Sequence, residues 1–359
     1  MPIYKLKNKI MDYPWGTIDY IPDLLKIEPT GEPQAEMWMG VHPKAPSEIE
    51  IDGKLVDLHK FLSENRMNLD FLFKVLSAKE ALSIQVHPNK IQAKEGYSIE
   101  KKAGLGKNKR TYTDMNAKPE LFYTLSNFWT LIGFRKSEEI IKNIETYCKN
   151  TLSDETAKFK SDNNIKKLLS SILNSKKDIT SEAVAKALVM KNEISEWILS
   201  LHRMYPGDKG IVAPLYMALI KFPPGSCVFV PAGVLHSYLQ GSILELMGNS
   251  DNVVRGGLTN KYVNIKELLN ILSLDAHKAI KGAKIDSGQR YEAMGLVLDR
   301  IALDGELKRK ASSCEIVLCT EGCTECDGTI IEQGESVFVT QGTEYCLNGN
   351  AEVFVAMHN

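Results

Sequence analysis

Tyr216-Met217-Ala218-Leu219-Ile220-Lys221-Phe222, the turn Pro223-Pro224-Gly225, and Cys227-Val228-Phe229-Val230-Pro231 form the stretch on which the fold reading turns. Apolar, β-branched and aromatic residues flank a turn that cannot continue a ladder, so the stretch reads as strand, turn, strand. It follows a segment of different character. Across 137–205 glycine and proline all but vanish and the apolar period becomes helical, with Ile165, Leu168, Leu169 and Ile172 spaced i, i+3, i+4, i+7, and Ile194, Trp197, Ile198 and Leu201 likewise. Upstream, Phe71–Leu76, Leu82–Val86, Leu121–Leu125 and Phe128–Phe134 again have strand length and composition. The chain is therefore expected to be mainly β with an α-helical insertion. Two β blocks, 1–136 and 206–285, close one barrel around the inserted residues 137–205.

Beyond this core, Asn264–Leu274 reads as one helix with Ile265, Leu268, Leu269 and Leu272 on a face. From Arg290 on, Glu315–Cys319, Ser336–Val339 and Glu352–Ala356 alternate with glycine turns, which predicts a C-terminal β domain over 286–359. The Gly/Lys-rich segment Lys101–Arg110 reads as a mobile loop.

A chain of 359 residues can bury a large core without disulfides. Lys+Arg 44 against Asp+Glu 45 leaves a net charge of -1, without the basic surplus of a nucleic-acid or anionic-membrane binder. No apolar run approaches the ~18 residues of a membrane span. The opening MPIYKLKNKIMDYPWG has no signal-peptide pattern, and seven cysteines are an odd number, so reduced thiols in a cytoplasm are expected.

Ser83-Ile84-Gln85-Val86-His87 alternates, placing a hydroxyl, an amide and an imidazole on one face and two apolar residues on the other. That polar face is either a pocket wall or the solvated side of an edge strand. Lys118-Pro119-Glu120 opens another strand with Lys118 and Glu120 on one face. Pro231-Ala232-Gly233-Val234-Leu235-His236-Ser237-Tyr238 is a turn feeding a strand, with His236 and Tyr238 together. Glu245 stands among Ile243, Leu244, Leu246 and Met247; burying it requires a partner, and Asp251 and Arg255 offer candidates. Two histidines, a carboxylate and an amide oxygen make a reasonable zinc set. Cys323-Thr324-Glu325-Cys326, with Cys314 and Cys319, is a rival structural zinc knuckle, though its spacing does not suit paired CxxC ligands.

The strings QVHP (Gln85–Pro88), KPE (Lys118–Glu120), PAGVLHSY (Pro231–Tyr238) and SDNVVRGGLT (Ser250–Thr259), with YPWG (Tyr13–Gly16) and EMWMGVHPKAPS (Glu36–Ser47), together resemble the type I mannose-6-phosphate isomerases. Order and separation match from Tyr13 to about Leu272; the likeness is weak through the helices and fades in the C-terminal region. Gly256 stands where the family usually has alanine, and Asn260 where proline often precedes Lys261.

The resemblance implies a cupin-type β-barrel (jelly-roll) catalytic domain with a helical module and a C-terminal jelly-roll-like domain. It also implies one Zn2+ per chain on Gln85, His87, Glu120 and His236, and interconversion of mannose 6-phosphate and fructose 6-phosphate through a cis-enediol. Arg255 is the expected stabiliser of the enediolate, with Lys118 alongside. Glu245, Asp251, His or Lys groups at the rim, and zinc-bound hydroxide are the candidate bases. Ser83 and Lys261 match the phosphate end, Tyr238 and Trp15 wall the substrate, and Lys74 supports the pocket from behind. The expected partner is a small phosphosugar, with no nucleic acid or membrane, acting on a monomer or weak homo-oligomer. A non-catalytic sugar-binding cupin and an iron-dependent cupin oxygenase are the rival readings.

Overall fold

Eight consecutive buried residues, Phe71–Ala78, form an inner strand of the first sheet. A run apolar on both faces, interrupted by Lys74 and Ser77, is what a strand covered on both sides needs. It pairs antiparallel with Glu36–Gly40 on one side and with part of the thirteen-residue strand His236–Gly248 on the other. That long strand is the pivot of the fold. Its half from Gly241 to Gly248 ladders with Phe71–Ala78, and residues Ile243–Met247 also with Glu120–Thr124, whereas His236–Gln240 ladder with Ile84–Val86 and Phe128–Phe134. The change of partners falls at Gly241, where φ is 117° and a Cβ would lie 2.3 Å from Asn127 O. Only glycine fits there. A strand that switches layers at a bend makes the corner of a two-layered β fold.

The computed structural model describes residues 3–106, 110–275 and 277–359. Of the expected loop 101–110, the first two residues end a helix, Lys90–Lys102, and 107–109 lie outside the described residues. The expected helix over 264–274 is shorter, Ile265–Ile271, capped by Asn264. It stops because the next turn's Ser273 N–H donates instead to Gly233 O at 2.8 Å, drawing the chain against the turn before His236.

Helices Ser137–Tyr147, Ser153–Asp162, Ile165–Asn174, Ile179–Val189 and Glu193–Met204 occupy the stretch between the β blocks. Asn164, Asp178 and Asn192 cap three of them through side-chain oxygens, each cap contributing roughly 1 kcal/mol. Their apolar stripes, Leu168, Leu169, Ile172, Ile198 and Leu201 among them, share one core with Ile84, Val86, Leu131 and Val254. The helices thus cover the apolar reverse of the strand that carries Gln85.

A second sheet joins Leu296–Lys310, Glu344–His358, Glu315–Cys326 and Ser336–Val339 to the amino-terminal strand Ile3–Lys7, through the register Ile3↔Val339, and onward to Glu48–Ile51 and Lys54–Asp57. The runs expected at Glu315–Cys319 and Glu352–Ala356 are the more buried parts of longer strands, Glu315–Cys326 and Glu344–His358, whose remaining residues are more polar and obscure the pattern. All seven cysteines are free. Cys319 and Cys326 are buried and Cys323 is exposed, and among the described residues the cysteines form no group of metal-ligating side chains, so the zinc-knuckle reading falls. No helix among the described residues is long and apolar enough to cross a membrane.

Candidate metal centre and its pocket

Two short strands, Ile84–Val86 and Val254–Gly257, and the start of the long strand His236–Gly248 set the first row of the site. His236 pairs directly with Gln85, and Gln85 pairs on its other side with Arg255. Directly opposed residues present their side chains on the same face, so amide, imidazole and guanidinium form a line across the sheet. Ile84 and Val86 point the other way, into the helix-covered core. Glu120 opens its strand opposite Val230 and Met247, and His87 follows directly on strand Ile84–Val86.

The four side chains converge. His87 Nε2 lies 3.2 Å from Glu120 Oε1, His236 Nε2 lies 3.3 Å from Glu120 Oε2, and the Gln85 amide nitrogen is 3.4 Å from His236 Nε2. His87, Glu120 and His236 are all buried, and one ligand atom from each lies within 4.8 Å of the others. The protons decide what the cluster can be. His87 Nδ1 faces Asn252 O at 2.6 Å and His236 Nδ1 faces Val234 O at 3.0 Å. A carbonyl only accepts, so both Nδ1 atoms carry hydrogen. Burial, reinforced by Lys118, pushes the His87 pKa down to about 4 against the pull of Glu120, so its ring is neutral at pH 7 and Nε2 holds a lone pair. That Nε2 is buried without a hydrogen-bond partner. Lone pairs aimed at a carboxylate repel one another unless a cation sits among them. Imidazole nitrogen and carboxylate oxygen are donors that zinc accepts, and the Gln85 amide stands beside them.

Neighbours keep Glu120 charged. Burial alone would raise its pKa, but Lys118 Nζ at 2.8 Å holds it well below the ordinary carboxylate range. The Tyr238 hydroxyl donates to Glu120 Oε2 at 3.1 Å. The partner of Glu245 differs from expectation. It is neither Asp251 nor Arg255 but Lys74, its directly opposed residue, at 3.2 Å. Lys74 also lies 3.6 Å from Glu36 and 5.0 Å from the Trp38 ring, and Trp38 Nε1 donates to Glu36 Oε2 at 2.5 Å. Burial raises the Glu245 pKa, with Lys74 opposing.

Above this floor opens a cavity of about 880 Å³, lined in part by Trp15, Ser83, Arg255 and Lys261. Trp15 stacks on Tyr13 with ring centroids 5.6 Å apart. Asp251 meets Lys44 Nζ at 2.8 Å and His42 Nε2 at 3.4 Å. His42 is 3% exposed, so its contact with Asp251 is made from a buried position. Every expected site residue except His87 and His236 lines the cavity, and those two stand directly behind Glu120. The sequence reading missed Glu36, Lys44 and Arg110 as pocket residues. The first two lie within the EMWMGVHPKAPS string, where the signal stood; Arg110 had none.

A buried cluster of two histidines and a carboxylate, with the half-buried Gln85 beside it, beneath an open cavity of a cupin-type β fold defines a metal-dependent enzyme of that superfamily. Residues 3–137 match the model for the phosphomannose isomerase type I catalytic domain. The chain is 32% identical to mannose-6-phosphate isomerase of Escherichia coli (strain K12), with 93% of this chain and 94% of that protein covered, and 30% identical to the Homo sapiens enzyme of the same name over 76% and 73%. A crystal structure of mannose 6-phosphate isomerase in a zinc-bound form superposes with a TM-score of 0.92 at 30% identity over the whole of both chains. The chain belongs to the type I phosphomannose isomerases.

Proposed function

We propose that this chain interconverts mannose 6-phosphate and fructose 6-phosphate, with one zinc ion held by Gln85, His87, Glu120 and His236. The observation that carries the reading is the buried, unprotonated and unpartnered Nε2 of His87 facing the ionised Glu120. Zinc held there by these four residues would supply Lewis-acid chemistry toward the oxygens of the open-chain sugar.

The rest of the chemistry falls to side chains. Arg255, in the row with Gln85 and His236, stabilises the oxyanion of the cis-enediolate, a task for a permanent planar charge; Lys118 assists from the other side of Glu120. The base must hold a proton affinity near neutrality. Burial moves Glu245 toward that range, whereas Asp251 is held in the opposite direction by His42 and Lys44. Glu245 is therefore assigned the proton transfer between C1 and C2, with Lys74 setting its charge, and Asp251 orders the cations at the rim. Lys261 and Ser83 bind the phosphate. Burial and the nearby Arg255 and Lys44 lower the Lys261 pKa, a crowding of positive charge that an anion relieves. Trp15 walls the sugar; Tyr238, its hydroxyl committed to Glu120, orients that ligand.

We assign 1–136 with 206–285 to the catalytic unit, 137–205 to a helical buttress, and 286–359 to a C-terminal β unit to which strand Ile3–Lys7 adds. The protein works in the cytoplasm as a monomer or weak homo-oligomer. Metal analysis of the purified protein beside a coupled isomerase assay tests the reading: about one zinc per chain and chelator-sensitive turnover are expected. Full turnover without metal overturns it.

A further inference from the structure

His87 is aimed by a carbonyl that belongs to no helix or strand. Its Nδ1–H donates to Asn252 O at 2.6 Å, across 165 residues of sequence, and residues 251–253 are irregular. The Asn252 side chain supplies what regular structure does not. It is fully buried, and its amide joins two irregular segments. Oδ1 accepts from Thr113 N at 2.8 Å, Thr113 Oγ1 at 3.2 Å and Asp114 N at 3.3 Å. Nδ2 donates to Asp114 O and Asn116 O at 2.9 Å each, and to Asp114 Oδ1 at 3.2 Å. Asp114 closes the clasp from the opposite segment: its carboxylate accepts from Ser250 Oγ at 2.9 Å and from Asp251 N at 2.9 Å. Ser250 Oγ in turn accepts the N–H of Asn252 at 3.1 Å.

We propose that Asn252 and Asp114 are positioning residues that fix the tautomer and direction of the His87 imidazole, and through it the affinity of the metal centre. The inference rests on the zinc reading above. An amide is the side chain this place demands, because one end must accept from two backbone N–H groups while the other donates to two backbone carbonyls. A carboxylate or a methyl cannot do both. A carbonyl held from two segments keeps the proton on Nδ1 and leaves Nε2 free for the ion. Hydrogen-bond partners of metal-ligating histidines commonly set affinity by about 10–100-fold.

Zinc dissociation constants, measured on metal-free protein by competition with a chromophoric chelator, test this alongside thermal melts of the same samples. Wild type binds zinc and His87→Ala does not. Asn252→Ala and Asp114→Ala weaken zinc binding by about 10–100-fold while remaining folded, and Asp114→Asn, which keeps one oxygen, recovers part of the loss. The ring NMR spectrum shows the Nδ1–H tautomer of His87 in wild type and a loss of that population in the two alanine variants. Where Asn252→Ala does not fold, the partly exposed Asp114 decides. A folded clasp variant with wild-type zinc affinity overturns this inference alone. A wild-type protein with no zinc affinity overturns the metal reading and this inference with it.

Discussion

Arg255 is the direct cross-strand partner of Gln85. That register places a guanidinium on the same face as the amide and two positions from the imidazole of His236, with Gln85 between them. The ladder fixes the backbone position and face from which the charge enters the cavity, and charge held in place in advance can stabilise a transient oxyanion with little reorganisation.

Arg255→Ala is expected to lower kcat by about 10²–10³, roughly 3–4 kcal/mol of transition-state stabilisation, with zinc content near wild type. Arg255→Lys recovers only part, since an ammonium lacks the planar fork. His236→Ala loses zinc together with activity. Metal stoichiometry measured beside kcat for each variant separates the two roles; near-normal kcat in Arg255→Ala removes this residue from the mechanism.

Lys261 acts on a part of the substrate remote from the reacting carbons. Lys261→Ala should chiefly raise KM and leave kcat little changed, the signature of binding shared by ground and transition states. Free mannose should turn over far less efficiently than mannose 6-phosphate. Equal kcat/KM for the two sugars would show that no phosphate site operates.

Asp251 gives the protein an acid-side sensitivity. Burial favours its neutral form, but hydrogen bonds and charge from His42 and Lys44 prevail and hold it well below the ordinary aspartate range. Its folded pKa is thus below its unfolded one, near ~4. The stability it contributes is complete above that unfolded value and is lost progressively as pH falls from there toward the depressed folded pKa. The difference in urea midpoint between wild type and Asp251→Asn should therefore stay constant above about pH 5 and shrink steadily below about pH 4. A difference that does not change with pH would show that the ion pair contributes no stability.

Gly256 departs from the alanine usual in the family, and the structure shows what fills the space. A Cβ there would meet Leu268 Cδ1 at 2.7 Å, with its next neighbour, Ile84 Cγ2, at 3.6 Å. The backbone at Gly256 is not left-handed and the crowded atom is the tip of a side chain, so a small rotation of Leu268 admits the methyl. Gly256→Ala should change unfolding free energy by no more than about 1 kcal/mol, repacking being offset by the reduced freedom of the unfolded chain. A loss above about 2 kcal/mol in urea unfolding would mean that helix Ile265–Ile271 cannot yield.

Much of the site was legible before any coordinates. Alternation along Ser83–His87 separates Gln85 from Ile84 and Val86, and the structure keeps that separation, with the amide in the cavity and the two apolar residues in the core. The helical stripes between 165 and 201 are buried as their spacing requires. The motif strings pointed to the four converging donors. These readings succeed because periodicity and short motifs are local: a backbone repeating every two or about 3.6 residues sorts side chains without knowledge of the rest of the chain.

What only tertiary structure decided is which residue meets which. The pairing of Glu245 with Lys74, the His42–Asp251 contact and the Asn252 carbonyl on His87 join segments far apart in sequence. The same holds for the strand Ile3–Lys7 in the sheet of C-terminal strands. Composition placed Glu245 beside two plausible partners in its own neighbourhood, and the true one came from the opposed strand. The reason is register. A single sequence records which face a side chain takes, but its opposite number depends on how strands are aligned, and a slip of one residue would exchange every pair. Alignment is set by the whole core at once, through the bend at Gly241 and the helices packed behind Ile84 and Val86. The residues of the centre are therefore a property of the sequence, and the proton positions that make it a cation site are a property of the fold.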